Sequence, residues 1–204
     1  MGEGLLVFGI CFRCGRVSTL SLHFISYSKT ATDKVHQALR VNSVSVSPMP
    51  LVTPGPLHIS FDADVLQRID LAILNFTLTR DTALGAHVHV PCIGTLGSCP
   101  LDGCSVVDDL RNGSREAQRD LGRQLKAMFD SIGIFQSCPI QIQHVAVTNY
   151  TINIPALSSA VNFITDGDYT VKVDVRDPLS SSSLGCFEFS ASIKRAKASG
   201  FLFG

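Results

Sequence analysis

Val88-His89-Val90-Pro91-Cys92-Ile93-Gly94-Thr95-Leu96-Gly97-Ser98-Cys99-Pro100-Leu101-Asp102-Gly103-Cys104 is the stretch that decides how the rest of this chain is read. A short alternating strand runs into a proline. Two cysteines seven apart then enclose a loop with two glycines, and a third cysteine follows. Gly94 and Gly97 allow the chain to double back, so Cys92 and Cys99 can meet. A bridge closing so small a loop is worth about 2–3 kcal/mol in the chain-entropy view. The spacing does not suit zinc, which wants close Cys-x-x-Cys pairs or a pair of histidines.

Outward from this loop, alternation of apolar and polar residues dominates. Leu57, Ile59, Phe61 and Ala63 alternate with polar neighbours, and so do Ala72, Leu74, Phe76 and Leu78. Val88 and Val90 share one side of the strand before the loop, with His87 and His89 on the other. Further strands are expected around Ile140 and Ile142, then Tyr150, Ile152 and Ile154, then Tyr169, Val171, Val173 and Val175, and last Phe187, Phe189, Ala191 and Ile193. A period of two marks half-buried strands. About eight of them, mostly antiparallel, at this spacing predict an all-β sandwich or cup. One segment changes period: Ala117, Leu121, Leu125, Met128, Phe129 and Ile132 recur at three and four, which predicts an amphipathic helix over 114–132. Gly133 is its expected stop, and Gly122 weakens its middle.

Composition narrows the function. The 204 residues carry 17 basic and 17 acidic side chains, so no basic footprint for nucleic acid is present. No apolar run is long enough for a membrane-spanning helix. Seven cysteines and sequons at Asn75, Asn112 and Asn149 favour an oxidising, secretory route. Asn75 falls on the polar side of its strand, so a glycan there points away from the interior. At the N-terminus, Leu5 to Phe12 is a short apolar run preceded by Glu3, a poor match to a signal peptide. Residues 1–38 are therefore taken as a weak leader or a misassigned start, 39–195 as the domain and 196–204 as a tail. Motifs for nucleophilic, phosphate-binding or metal-dependent catalysis are missing, and no enzymatic activity is expected. His87 and His89 have no third ligand in sequence and read as an exposed strand face, so neither a metal nor another cofactor is expected. Asp62, Asp64 and Asp70 read as solvated turn acids.

The Pro-Cys, the Gly-Ser-Cys seven residues on and the cysteine soon after resemble the ganglioside-activator branch of the ML (lipid-recognition) domain family. Val52-Thr53-Pro54-Gly55, Thr165-Asp166-Gly167-Asp168-Tyr169 and Leu184-Gly185-Cys186 agree with it in order, and the resemblance runs from about Val41 to Lys194. Periodicity alone does not distinguish a filled core from an empty cup. The resemblance implies two splayed sheets with a lipid pocket, lined here by Phe61, Leu74, Phe76, Leu78, Val88, Val90, Ile152, Tyr169, Val171, Phe187 and Phe189. It implies the bridges Cys92–Cys99 and Cys104–Cys138. It also places Cys186 where the family reaches back to an N-terminal cysteine. That partner is missing from its usual position, so Cys186 is expected to be free, with Cys11 or Cys14 as alternatives.

The connection 155–165 carries Leu157, Val161, Phe163 and Ile164, and by residue type it either folds onto the core or meets a surface partner. The resemblance implies peripheral contact with a membrane, with Phe163 standing where relatives carry tryptophan. By the same resemblance the protein would bind and transfer a glycosphingolipid, a ganglioside, and present it to a soluble lysosomal glycosidase such as a β-hexosaminidase. A sterol or phospholipid carrier, or a lipid-recognition adaptor, is the alternative on the same fold. A secreted adhesion sandwich with a filled core is the second alternative.

Overall fold

The computed structural model describes residues 37–82, 85–93, 96–134, 137–155 and 166–196. Nine strands and two helices follow in the order β1 (Leu39–Ser47), β2 (Leu51–Thr53), β3 (Gly55–Val65), β4 (Ile73–Asp81), β5 (His87–His89), β6 (Pro100–Asp102), α1 (Val106–Arg111), α2 (Glu116–Ser131), β7 (Gln143–Ile154), β8 (Gly167–Arg176) and β9 (Ser183–Arg195). They form a three-stranded sheet, β1-β3-β7, and a six-stranded sheet, β2-β9-β8-β4-β5 with β6 also on β4. All pairings are antiparallel except β2 with β9. This is the expected all-β architecture.

Three register shifts interrupt the simple alternation, one where Leu184 is extra in β9 and two in the smaller sheet. In β1 the register slips between Val41 and Ser43, so Val41 pairs with Ala63 while Val44 pairs with Phe61. Odd and even valines thus reach the same apolar face. In β7 the slip falls between Val147, opposite Phe61, and Tyr150, opposite Ile59. Asn149 absorbs the extra residue at φ 51°, and its N–H donates to Ser60 Oγ at 2.8 Å. An extra residue in one strand re-aims the side chains beyond it. The strand expected around Ile140 and Ile142 does not form. Ile140 makes only an isolated bridge to Ile69, and Ile142 is 68% exposed.

The cysteine loop builds one edge of the larger sheet. β5 pairs with Thr79 to Asp81, the Phe76 N–H donates to Cys99 O, and β6 pairs with Ile73 to Asn75. The loop leaves this edge and returns to it, closed by the Cys92–Cys99 bridge. Ser98 locks it down: its Oγ accepts from the Leu78 N–H at 2.9 Å, and its own N–H donates to Val90 O. Gly97 sits at φ 94°, where a Cβ would lie 2.1 Å from Pro91 O, so no other residue fits.

Cys104–Cys138 is the second bridge, 34 residues apart, and the whole helical excursion hangs between its ends. α2 falls inside the expected span and ends with Gly133 at φ 69°. There the Ile134 N–H donates to Phe129 O and the Gly133 N–H to Asp130 O, which is a Schellman closure. α1 was not foreseen, since six residues are too few to show a period. Gly122 does more than weaken the helix. A Cβ there would lie 2.5 Å from the Arg111 backbone nitrogen, so its absence lets α1 pack against α2. Cys186, expected to be free, is disulfide-bonded. The other four described cysteines pair among themselves, so its partner lies outside the described residues.

Candidate functional site

Strand registers place the apolar side chains of the larger sheet in rungs. Leu74, Val175 and Gly185 align, then Phe76, Val173 and Phe187, then Leu78, Val171 and Phe189, then Arg80, Tyr169 and Ala191. The opposite face of the same strands holds Asn75, Thr77, Thr79, Asp174, Lys172 and Glu188. On the smaller sheet, Leu57, Ile59, Phe61, Ala63 and Val65 lie beside Ile152, Tyr150, Val147 and Val145. Its other face carries Arg40, Asn42, Asp62, Asp64 and His144, joined by hydrogen bonds. The alternation read in the sequence therefore becomes two apolar faces and two polar ones.

Among the described residues, the two apolar faces share their largest cluster at one end. Val65, Ala38 and Leu39 pack with Val173, Val175, Ala72 and Leu74. The backbones approach so closely there that a Cβ on Gly185 would fall 2.6 Å from Leu39 O. Further along, Phe61 still shares a cluster with Phe187 across the gap. Beyond that rung the described residues group into two clusters. On the smaller sheet, Met128, Leu121, Leu125, Phe129 and Ile132 cover Ile59, Val147, Tyr150, Ile152 and Ile154. On the larger sheet, Val90 and Tyr169 pack with Leu78, Leu96 and Ile193. The described members of the cluster under α2, which include Phe61, come from β3, β7, the helix and Ile132 just after it. The helix thus lies on the inner face of the smaller sheet, fixed by Gln124, whose Oε1 accepts from the Asn153 N–H at 2.7 Å and whose Nε2 donates to Asn153 O.

At the margins of these clusters several inner-face apolar side chains are only half-buried. Phe61, Leu74, Phe76, Leu78, Val171, Phe187 and Phe189 are all in this state. The Phe187 and Phe189 rings stack with centroids 6.5 Å apart and planes 12° from parallel, a flat apolar wall. Val90, Ile152 and Tyr169 are buried outright. Val88 is not an interior residue. It shares the Arg80 side of the sheet, but β5 is a three-residue edge strand and Val88 remains 51% exposed. Leu157, Val161, Phe163 and Ile164 lie outside the described residues. Asn112 and Asn149 are exposed, and Asn75 stands on the polar face opposite Asp174.

Sequence reasoning passed over two features of this region. The α2 side chains showed an apolar face but not the sheet that receives it. Arg80 continues the parity of Leu74, Phe76 and Leu78, and so breaks an otherwise uncharged face; that break is visible in the sequence. Chemically the described residues of this region offer apolar contact area. Among the described residues no group of three His, Cys, Asp or Glu side chains could hold a metal ion. His87 Nδ1 lies 2.6 Å from Asp81 Oδ1, and His89 Nδ1 lies 3.4 Å from Ser98 Oγ. No helix among the described residues is long and apolar enough to cross a membrane.

The ganglioside GM2 activator of Mus musculus is 23% identical over 163 residues, covering 76% of this chain and 75% of its own length. Among solved structures, a Niemann-Pick type C2 protein from Japanese carpenter ant matches over 81% of this chain and 100% of its own, with 11% identity and a TM-score of 0.40. The family model described as the ML domain matches residues 29–193, most of the chain, and the protein belongs to the ML domain family.

Proposed function

We propose that this protein is a non-enzymatic lipid-binding and lipid-transfer module. The observation that carries the reading is the incomplete burial of the inner faces: the described core falls into several clusters rather than one, and Phe61, Leu78, Val171, Phe187 and Phe189 stay half-buried. Apolar side chains left half-covered gain from any apolar occupant. Each CH2 removed from water is worth about 0.8 kcal/mol, so two acyl chains would be held without a polar contact. Membership of the ML domain family, a family of lipid-binding proteins, supports the same reading.

Likeness to a ganglioside activator favours a glycosphingolipid as the cargo, with its chains between the sheets and its sugars outside. A soluble glycosidase would then reach a headgroup that a bilayer surface shields. Peripheral membrane contact would come from the connection with Leu157, Val161, Phe163 and Ile164. The disulfides fit an oxidising compartment and so a secreted or lysosomal protein. The lipid-binding unit would be 39–195, with sugars attached at exposed Asn112 and Asn149 and on the polar face at Asn75.

Native mass spectrometry of the purified protein, followed by lipid extraction, tests the reading. Co-purifying lipid, or uptake of glycolipid from vesicles, is the expected result. A protein that carries no lipid and takes up none from vesicles is a sandwich with a filled core, and the proposal falls. Phe163→Ser should slow transfer between vesicles without lowering the melting temperature.

A further inference from the structure

Four rungs of the larger sheet's inner face hold one charge, Arg80. It stands three rungs from Leu74, at the end of β4 away from the shared cluster, beside buried Tyr169 on β8 and opposite Val88 on β5. Its side chain lies across Gly167. A Cβ there would sit 3.1 Å from Arg80 Nε and 3.4 Å from Nη2, so the missing side chain makes the seat for the guanidinium. From this seat Arg80 Nη2 donates one hydrogen bond, to Asp166 O at 3.0 Å. It makes no ion pair among the described residues.

The neighbouring carboxylates are engaged elsewhere. Asp81 points to the opposite face, toward His87 and the Thr170 hydroxyl. Asp168 accepts from the Ser192 hydroxyl, and Asp166 Oδ1 accepts from the Arg195 N–H at 2.8 Å. A guanidinium has five N–H donors in a fixed fork that fits carboxylate, phosphate or sulfate with two parallel bonds. Arg80 uses one of them and lies beside an apolar wall that would hold the tails of the same molecule.

We propose that Arg80, seated on Gly167, recognises an oxyanion in the headgroup of the bound lipid, so that the site prefers acidic lipids to neutral ones with the same tails. The inference rests on the lipid-carrier reading and adds the headgroup chemistry to it. Carboxylate and phosphate satisfy the same fork, so the test uses two matched pairs. One pair is a ganglioside and the same glycolipid without its sialic acid. The other is phosphatidic acid and the diacylglycerol with identical chains. Transfer of each from neutral vesicles is measured for the wild type, Arg80→Gln, Arg80→Lys and Gly167→Ala, with glycerol 3-phosphate as a soluble competitor.

The wild type should transfer the acidic member of at least one pair about tenfold faster than its neutral partner, the scale of a charge-assisted hydrogen bond. Arg80→Gln should erase that ratio and leave transfer of the neutral lipid unchanged. Arg80→Lys should keep part of it. Gly167→Ala, which retains the charge but fills its seat, should lower the ratio too, and it carries the test if Arg80→Gln does not fold. Equal transfer of both members by the wild type, or an equal fall for both in the variants, overturns the role of Arg80 while leaving lipid carriage standing. Glycerol 3-phosphate competing as strongly as the lipid makes this a site for soluble anions and also overturns it. Failure to transfer any of the four lipids removes the carrier reading and this inference together.

Discussion

His144 and Asp64 stand on the outward face of the smaller sheet, and their charges depend on each other. Asp64 accepts from Asn42 and from Arg40, and lies 2.9 Å from His144 Nδ1. These hydrogen bonds, Asn42 first, hold its carboxyl far below the ordinary value of 3.8. His144 is raised above its ordinary 6.5, first by the hydrogen bond to Asp64 and then by the nearby Asp62 charge. The signs are opposite. The carboxylate with a depressed pKa stabilises the fold above its unfolded value and loses that contribution as pH falls through the folded one. The imidazole with a raised pKa stabilises below its unfolded value and loses its contribution as pH rises through the folded one. The pair therefore supports the fold best between about pH 4 and pH 6.5. Titration by NMR should place His144 above 6.5, and Asp64→Asn should bring it down; an unmoved His144 would show that the hydrogen bond does not set its charge. Gly97 gives a second prediction at this scale. Gly97→Ala puts a methyl 2.1 Å from Pro91 O in a left-handed turn, and should cost about 2–3 kcal/mol in chemical denaturation.

Elements differ in how plainly the sequence spells them. β3, β4 and β8 keep a period of two because each buries one face, β9 does so after its slip at Leu184, and all four were legible. β7 was legible in its second half, Tyr150 to Ile154, but not in its first, because the bulge at Asn149 shifts the parity from Val145 and Val147 to Tyr150 and Ile152. An alternating pattern that changes phase reads as two strands. α1 is too short for a period, and the exposure of Val88 follows from the sheet edge rather than from its own residue type. The faces of the candidate site were legible by alternation, but their incomplete burial was not, since no strand encodes its distance from the opposite sheet. Gly122 illustrates the same limit. Helix propensity alone says that Gly122→Ala should stabilise by up to about 1 kcal/mol. The close backbone of Leu110 and Arg111 reverses that sign. Overpacking costs about 1–3 kcal/mol, so the variant should be net destabilised and melt at a lower temperature. A higher melting temperature would mean that α1 moves aside at little cost.

At the scale of the whole molecule, the two ends of the domain are built differently. At one end a single cluster spans both sheets, so opening it exposes Val65, Val173, Val175 and Ile69 together. At the other, α2 covers one sheet and the cysteine loop the other, as separate small cores. Cys104–Cys138 holds the base of the α2 excursion and Cys92–Cys99 closes the loop, so each small core is tied down by its own crosslink. The bond at Cys186 adds a third constraint, from β9 to a cysteine outside the described residues. Non-reducing peptide mapping should find Cys186 linked to Cys11 or Cys14; a free Cys186 thiol would contradict it. Local opening free energy follows local burial, so amide exchange should be graded along the sheets. Amides of β8 around Val173 and Val175 should exchange slowest, and those of α2 and the end of β7 faster. Loading with lipid should slow exchange around Phe187, Phe189 and Val171, where half-buried side chains gain a cover, and change the amides near Val65 little. Uniform exchange before loading would mean that the molecule opens as one unit. Slowing confined to the Val65 end would place the ligand outside the gap between the sheets.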